Sequence, residues 1–310
     1  MRAADAPGLT LAAIVPASDN PPTLPRCVSA LEASERLPDV LIVQRQPGGV
    51  GPAAVRNAAV AETNAEILVF VDSDVEVHPD ALARIERRFR DDAELDALFG
   101  AYDDEPAAPG LVSRFRNLLH HHVHVLAAGD AETFWAGLGA VRRQKFLAAG
   151  GFDEDAFSEA SVEDIELGTR LRQMGARIEL DPSIRGRHLK AWTVASMVKT
   201  DFARRGIPWA RLVLRGQGSA TTLNLGWRHR ASAAASLLLA AGVLARRPRF
   251  ALAGLASVLA LNHRLYGLLH RRGGTPLLLA GVGLHVVHQL TAVAALPAAV
   301  ALHLRDWGRG

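Results

Sequence analysis

Short, wholly apolar runs alternate with amphipathic stretches through the first ninety residues. Leu9–Val15 (LTLAAIV) stops at Pro16 in a loop of Pro, Asp and Asn, and Val40–Val43 (VLIV) and Ile67–Val71 (ILVFV) repeat the pattern. Between these runs Leu24, Cys27, Val28 and Leu31 recur at helical spacing. The segment AAVRNAAVAE reads as a helix entered through the loop GGVGP, and another helix is expected from about Pro79 to Phe89. Runs this short, without polar alternation, are strands covered on both faces, and strands alternating with helices build a parallel sheet. Such sheets bind ligands beyond the carboxyl ends of their strands. The loops after Val15, Val43 and Val71 are therefore the places to look for chemistry.

The pattern then changes twice. From Asp103 to Asp130 it is irregular. His120–His124 (HHHVH) continues FRNLL without acids or cysteines and reads as a polar-faced helix rather than a metal site. Ser161–Gly175 (SVEDIELGTRLRQMG) reads as a helix with Ser161 as N-cap and Asp164 completing a capping box. Leu167, Leu171 and Met174 mark its buried face, and Gly175 ends it. A strand-like RIELD follows, then His188. Beyond Trp227 come three apolar stretches, Ala231–Ala245, Phe250–Leu261 and Pro276–Leu304. The last exceeds the roughly 20 residues that cross a bilayer, although His285, His288, Gln289 and Pro297 interrupt it. The first two are short, and a simple first crossing would carry the Arg246-Arg247-Arg249 cluster outside, which favours an interfacial or re-entrant arrangement. Arg228 and Arg230 before the first stretch suit a cytoplasmic start. The expected organisation is an α/β domain over 1–226 and a membrane-associated helical region over 227–310. It would be held at the inner, cytoplasmic membrane with the α/β domain facing the cytoplasm.

Composition agrees with that split. Hydrophobic residues reach 49% beside 22% charged ones, and the mean hydropathy is +0.10, which fits a soluble part joined to an apolar part. The formal charge of +3 comes from arginines scattered along the chain. The aromatic-rich basic stripe of an RNA-binding module is missing, so nucleic acid is not the expected partner. Arginines beside apolar segments fit an anionic membrane surface, and a general bias towards arginine would leave the same trace. The single cysteine, Cys27, excludes an intramolecular disulfide and a cysteine-built metal site and points to a reducing compartment. Leu9–Val15 lacks the basic start and cleavage site of a signal peptide.

The densest chemistry lies in FVDSDVEVHPDAL (Phe70–Leu82). Residues two apart on an extended backbone point the same way, so Asp72 and Asp74 converge where a buried strand emerges. Two carboxylates there repel unless a cation lies between them. Hard oxygen ligands suit Mg²⁺ or Mn²⁺, which share coordination with substrate phosphates. An acidic turn opening a helix would carry the same Asp-x-Asp. Glu163 and Asp164 in a first helical turn can stabilise the helix dipole, or a carboxylate held there can act as a general base. A lone histidine such as His188 is usually structural, although imidazole is also a good ligand for Mn²⁺.

The order of these pieces resembles family 2 glycosyltransferases with the GT-A fold, over about Leu9 to Trp192. VPASDNPPTLPRCVSAL looks like the family's opening strand and nucleotide-cradling loop, which puts Pro16 at the donor. AAVRNAAV is similar to its Ala-Arg-Asn segment, Asp72–Asp74 to its metal and nucleotide-sugar motif, and Phe134–Glu154 to its acceptor-side segment. Glu163-Asp164 matches the pair whose Asp is the base, and His188 matches a histidine that completes metal coordination. The resemblance implies a GT-A-like, mostly parallel sheet flanked by helices, ahead of the apolar helical region. It also implies inverting, metal-dependent transfer of a sugar from a nucleotide-diphospho-sugar to an acceptor hydroxyl. An active site at a membrane surface makes a lipid or a membrane glycan an attractive acceptor, with a protein or another glycan left open. Asp164 would be the base. Asp72, Asp74 and His188 would hold Mn²⁺ or Mg²⁺, and Pro16, Arg56, Asn57, Asp72 and Asp74 would bind the donor. Arg142 and Arg143 lie near the acceptor segment, open to a role at the diphosphate or on the surface. The chain departs from the family at Gln44-Arg45-Gln46, where acids are usual, and at Asp19-Asn20, so the nucleotide base stays unassigned. The alternative is a membrane-anchored nucleotide-sugar-binding protein without catalysis.

Overall fold

The computed structural model describes residues 8–18, 20–45, 50–218 and 223–307. Asp19 and Gln46 lie outside them.

The first expected strand is β1 (Leu11–Pro16), buried along its length. After α1 (Leu24–Glu32) come β2 (Val40–Gln44), α2 (Pro52–Ala61) and β3 (Ile67–Val71). Both β2 and β3 run parallel to β1, one on each side. Crossovers of this kind between parallel strands are right-handed almost without exception. Next are β4 (Val75–Val77), α3 (Ala81–Asp91), β5 (Ala97–Tyr102), α4 (Leu111–Leu126), β6 (Gly129–Asp130), β7 (Leu138–Arg142), α5 (Arg143–Ala148), α6 (Glu163–Gln173) and β8 (Ile178–His188). The strand order is β2-β1-β3-β7-β5-β8-β4, with β6 beside β8. The sheet is mixed. It is parallel through β2, β1 and β3, while β7 runs antiparallel to both β3 and β5, and β8 antiparallel to β4.

Two compact units divide the chain, one of residues 1–101 and 128–189, the other of 102–127 and 190–310. The boundary expected at 226/227 falls elsewhere because α4, in the middle of the sequence, buries its apolar face with the C-terminal helices. Phe115, Leu118 and Leu119 share one cluster with Trp192, Met197, Leu265, Leu269 and Leu277. His120–His124 lies on this helix. The second unit continues with α7 (Val194–Lys199), a π-helical turn (Thr200–Gly206), α8 (Ile207–Leu214), α9 (Trp227–Leu244), α10 (Pro248–Leu261) and α11 (His263–Trp307). Inside α11 Gly274 takes φ 64° and ψ −166°, a left-handed break that glycine adopts without a Cβ clash. Among the described residues, His263–Asp306 is the one stretch long and apolar enough to cross a membrane by length and composition. In the π-helical turn the buried Asp201 receives Arg116 at 2.5 and 3.2 Å and His288 at 2.7 Å.

Candidate active site

Backbone pairing in the first unit gathers the acids and His188 at one end of the sheet. Ile14 pairs with Phe70, so Pro16 and Asp72 each stand two residues past that pair at the carboxyl ends of neighbouring strands. The Asp72 N–H donates to Gly137 O at 3.1 Å and its carbonyl accepts from Val75 N, turning the chain straight into β4. In β4, Val75 pairs with His188, and Leu189 N donates to Asp74 O at 2.8 Å. That register brings residues 114 positions apart together: His188 Nε2 lies 3.6 Å from Asp74 Oδ2. His188 is buried, and the Asp74 side chain is partly open.

Asp72 faces another way. Its Oδ1 accepts from Arg56 Nη2 at 2.7 Å, and Arg56 Nη1 donates to Glu163 Oε1 at 3.0 Å. Arg56 is almost wholly buried and also lies over the Phe152 ring, 5.3 Å from its centroid. One guanidinium thus ties the end of β3 to the start of α6. Burial pushes the Asp72 carboxyl above its ordinary range, Arg56 pulls it back, and the charge of Asp74 adds to the rise. Glu163 Oε2 accepts from Ser161 N at 2.8 Å. The expected capping box is replaced: Val162 holds the cap position without a side-chain cap bond. Asp164 instead accepts from Ala136 N at 3.2 Å through Oδ2 and from Ile165 N at 2.8 Å through Oδ1. Burial first, and then the Glu163 charge beside it, push the Asp164 carboxyl up to about 7. A carboxyl with that affinity for protons is matched to taking one near neutral pH.

Gly168 sets the height of α6 over Ala136. A Cβ there would collide with the main chain at Thr133–Phe134, so glycine lets the first turn settle against that segment. Leu167 and Leu171 are buried as expected, but Met174 sits past the last helical turn and is exposed.

Asn57 has a role the sequence did not reveal. Its side chain donates to Phe152 O at 2.8 Å and accepts from Phe152 N at 3.0 Å, and it also donates to Glu154 Oε1 at 2.7 Å. The Arg-Asn pair therefore braces the Gly151–Glu154 segment. An amide side chain satisfying both main-chain groups of one residue leaves no periodic signal in sequence. Arg142 and Arg143 lie at the other end of the sheet, since Arg142 pairs with Ile67 and Leu138 with Val71. Arg142 holds the carbonyls of Leu95 and Phe89, and Arg143 that of Thr63, so neither reaches a diphosphate beside Asp72. The Cys27 thiol is raised to about 12 by burial and is no nucleophile.

The donor set suits a hard divalent ion. Asp74 and His188 are already neighbours, and Asp72 keeps its second oxygen after Arg56 takes the first. Among the described residues no three His, Cys, Asp or Glu side chains enclose a metal by themselves. The expected three-ligand set is therefore not assembled by side chains alone, and Mg²⁺ or Mn²⁺ held there would need substrate phosphates and water to complete its shell.

A GT-A arrangement of strands with acids at the carboxyl end of β3 defines a class of sugar-transfer enzyme. Residues 18–147 match the family described as Glycosyl transferase family 2. Over this segment the chain resembles a family 2 glycosyltransferase domain; its fold is GT-A-like, and the protein is a glycosyltransferase. The match includes Arg56, Asn57, Asp72 and Asp74 and ends before Asp164 and His188. No curated protein sequence matches the chain. Among solved structures it resembles the mannosyltransferase PcManGT from Pyrobaculum calidifontis in complex with GDP-Man and Mn²⁺, with TM-score 0.54 and 16% identity over 96% of this chain and 88% of that one. Lower likenesses are to residues 1–349 of S. aureus TarS (TM-score 0.47, 15% identity, 92% and 91% covered) and to GalNAc-T7 with UDP, GalNAc and Mn²⁺ (0.46, 14%, 74% and 51%). At such identities the likeness to PcManGT speaks for the fold alone, and the two lower scores carry no argument.

Proposed function

We propose that this glycosyltransferase moves a sugar from a nucleotide-diphospho-sugar to an acceptor hydroxyl in one inverting displacement. The observation that carries the reading is Asp164, a carboxyl raised to about 7 and linked through Glu163 and Arg56 to Asp72. Asp164 takes the acceptor proton as the acceptor oxygen attacks the anomeric carbon. The bond from that carbon to the diphosphate oxygen breaks, and its electron pair leaves with the nucleotide diphosphate. Glu163 is occupied by Arg56 and by Ser161 N, so Asp164 stands as the base rather than as one of a carboxylate pair. Asp72, Asp74 and His188 would hold Mn²⁺ or Mg²⁺, which supplies charge stabilisation to a departing diphosphate. Pro16 and the turn at Asp72 lie at the donor end of the sheet. Arg56 and Asn57 serve the donor indirectly, by holding Asp72 and the Gly151–Glu154 segment.

The second unit is read as membrane-attached at the cytoplasmic face, which makes a lipid-linked or membrane glycan acceptor the natural one. The length and apolar character of α11 support this, together with Arg228 and Arg230 before α9.

The test is donor turnover by the purified chain across a panel of nucleotide sugars, with membrane lipid extract as acceptor. Excess chelator should abolish turnover, and Mn²⁺ or Mg²⁺ should restore it. Full activity in chelator would remove the metal, and inverted product stereochemistry is required throughout.

A further inference from the structure

The second unit carries a charge pattern that sugar transfer does not use. Between Asp201 and Asp306 the sequence holds no Asp or Glu, while arginine recurs throughout. In that stretch α9 and α10 form an antiparallel hairpin packed backbone to backbone. A Cβ on Gly242 would collide with Ala251 N, and one on Gly254 with Leu239 N. The glycines let the two helices pack closely, and the side chains at the tip are exposed. Val243 is 61% exposed, Leu244 84%, Phe250 49% and Leu252 66%. Arg246, Arg247 and Arg249 crown the same tip, all exposed, and no described acid pairs with them. Arg246 also has φ 54°, in the left-handed region where this helix end would ordinarily take glycine. Local strain kept at a surface position, with a charge where glycine would be easier, suggests a use for that charge.

We infer that the tip of this hairpin, Val243–Leu252, docks at the headgroup level of an anionic bilayer. The arginines pair with lipid phosphates while Leu244, Phe250 and Leu252 enter between acyl chains. The inference deepens the membrane reading proposed above and rests on it. Nucleic acid or an acidic protein surface would match the arginines but leave four large apolar side chains in water. Crossing is disfavoured as well: the 14 residues of α10 reach about 21 Å as a helix, against a hydrocarbon core of about 30 Å. A crossing hairpin would also have to carry three arginines through that core.

The test uses the full chain in phospholipid nanodiscs, with Leu244→Cys carrying an environment-sensitive fluorophore. Cys27 is buried and escapes labelling. In discs containing phosphatidylglycerol the label should shift to the blue. Nitroxide lipids labelled near the headgroup should quench it more than those labelled at the chain end. Each arginine near an anionic surface favours docking about fivefold. The docked fraction should therefore fall by on the order of 100-fold in the triple variant Arg246→Glu, Arg247→Glu, Arg249→Glu, with the chain still in the disc. Arg246→Gly relieves the left-handed strain and should fold at least as well, yet dock about fivefold more weakly. An unquenched label, quenching strongest at the bilayer centre, equal docking in neutral phosphatidylcholine, or full docking by Arg246→Gly would each overturn the inference. Loss of the whole chain to alkaline carbonate would instead overturn membrane attachment itself, a separate result.

Discussion

Asp164→Asn should lower activity and raise stability together. With its carboxyl at about 7 in the fold and about 3.9 in the unfolded chain, the folded state binds more protons between those values. Stability from this group is therefore full below about pH 4 and is lost as pH rises through about 7. Three pKa units correspond to roughly 4 kcal/mol, and water reaching the partly exposed carboxyl screens this to about 2 kcal/mol. Asparagine keeps the size, accepts from Ala136 N, and carries no charge to bury. At pH 8 in chelator, the variant should be about 1–3 kcal/mol more stable than the parent by thermal or urea unfolding. The difference should close near pH 4. Transfer should fall about 10²–10⁴-fold, and the parent's rate should rise with pH through about 7 as Asp164 ionises. A folded variant with near-normal transfer would remove Asp164 as the base. A variant less stable than the parent at pH 8 would refute the burial argument.

Three further outcomes follow from packing and charge. Arg56→Met leaves Asp72 and the buried Glu163 without their shared cation and should cost about 3–5 kcal/mol in denaturant unfolding. Arg56→Lys, keeping the charge but unable to bridge both acids, should recover part of that loss. Gly168→Ala forces a methyl into the main chain at Thr133–Phe134. It should cost about 1–3 kcal/mol and slow transfer by lifting Asp164 from Ala136, and unchanged kinetics would argue against that seating. Asp201→Asn strands the buried Arg116 and should destabilise the second unit by about 3–5 kcal/mol, with Arg116→Met on top restoring much of it. Hydrogen exchange confined to the second unit would locate the effect.

The sequence alone determined the first three strands of the first unit, the helices between and after them, and α6, and it pointed to the strand ends as the candidate site. Burial on both faces demands unbroken apolar runs, so β1 and β3 could be read directly, whereas β2 carries the same run on an edge strand where only Ile42 is buried. Acids immediately after such a run, as at Asp72 and Asp74, mark the strand ends where ligands bind. The helix ending at Gly175 was legible for the same local reason, as was the apolar run from Pro276 to Leu304, though α11 begins earlier, at His263, ahead of the break at Gly274. Tertiary structure decided what depends on partners distant in sequence. The β4–β8 register brings His188 to Asp74. Arg56 turned out to join Asp72 to Glu163, and Asn57 to grip Phe152, where the sequence offered only a donor loop. Asp164 in the first turn of α6 accepts from Ala136 N rather than completing a capping box with the Ser161 side chain, and Gly168 lets the helix press against Phe134. The unit boundary moved because apolar burial ignores chain order: α4 leaves the strands on either side of it and joins helices more than a hundred residues later.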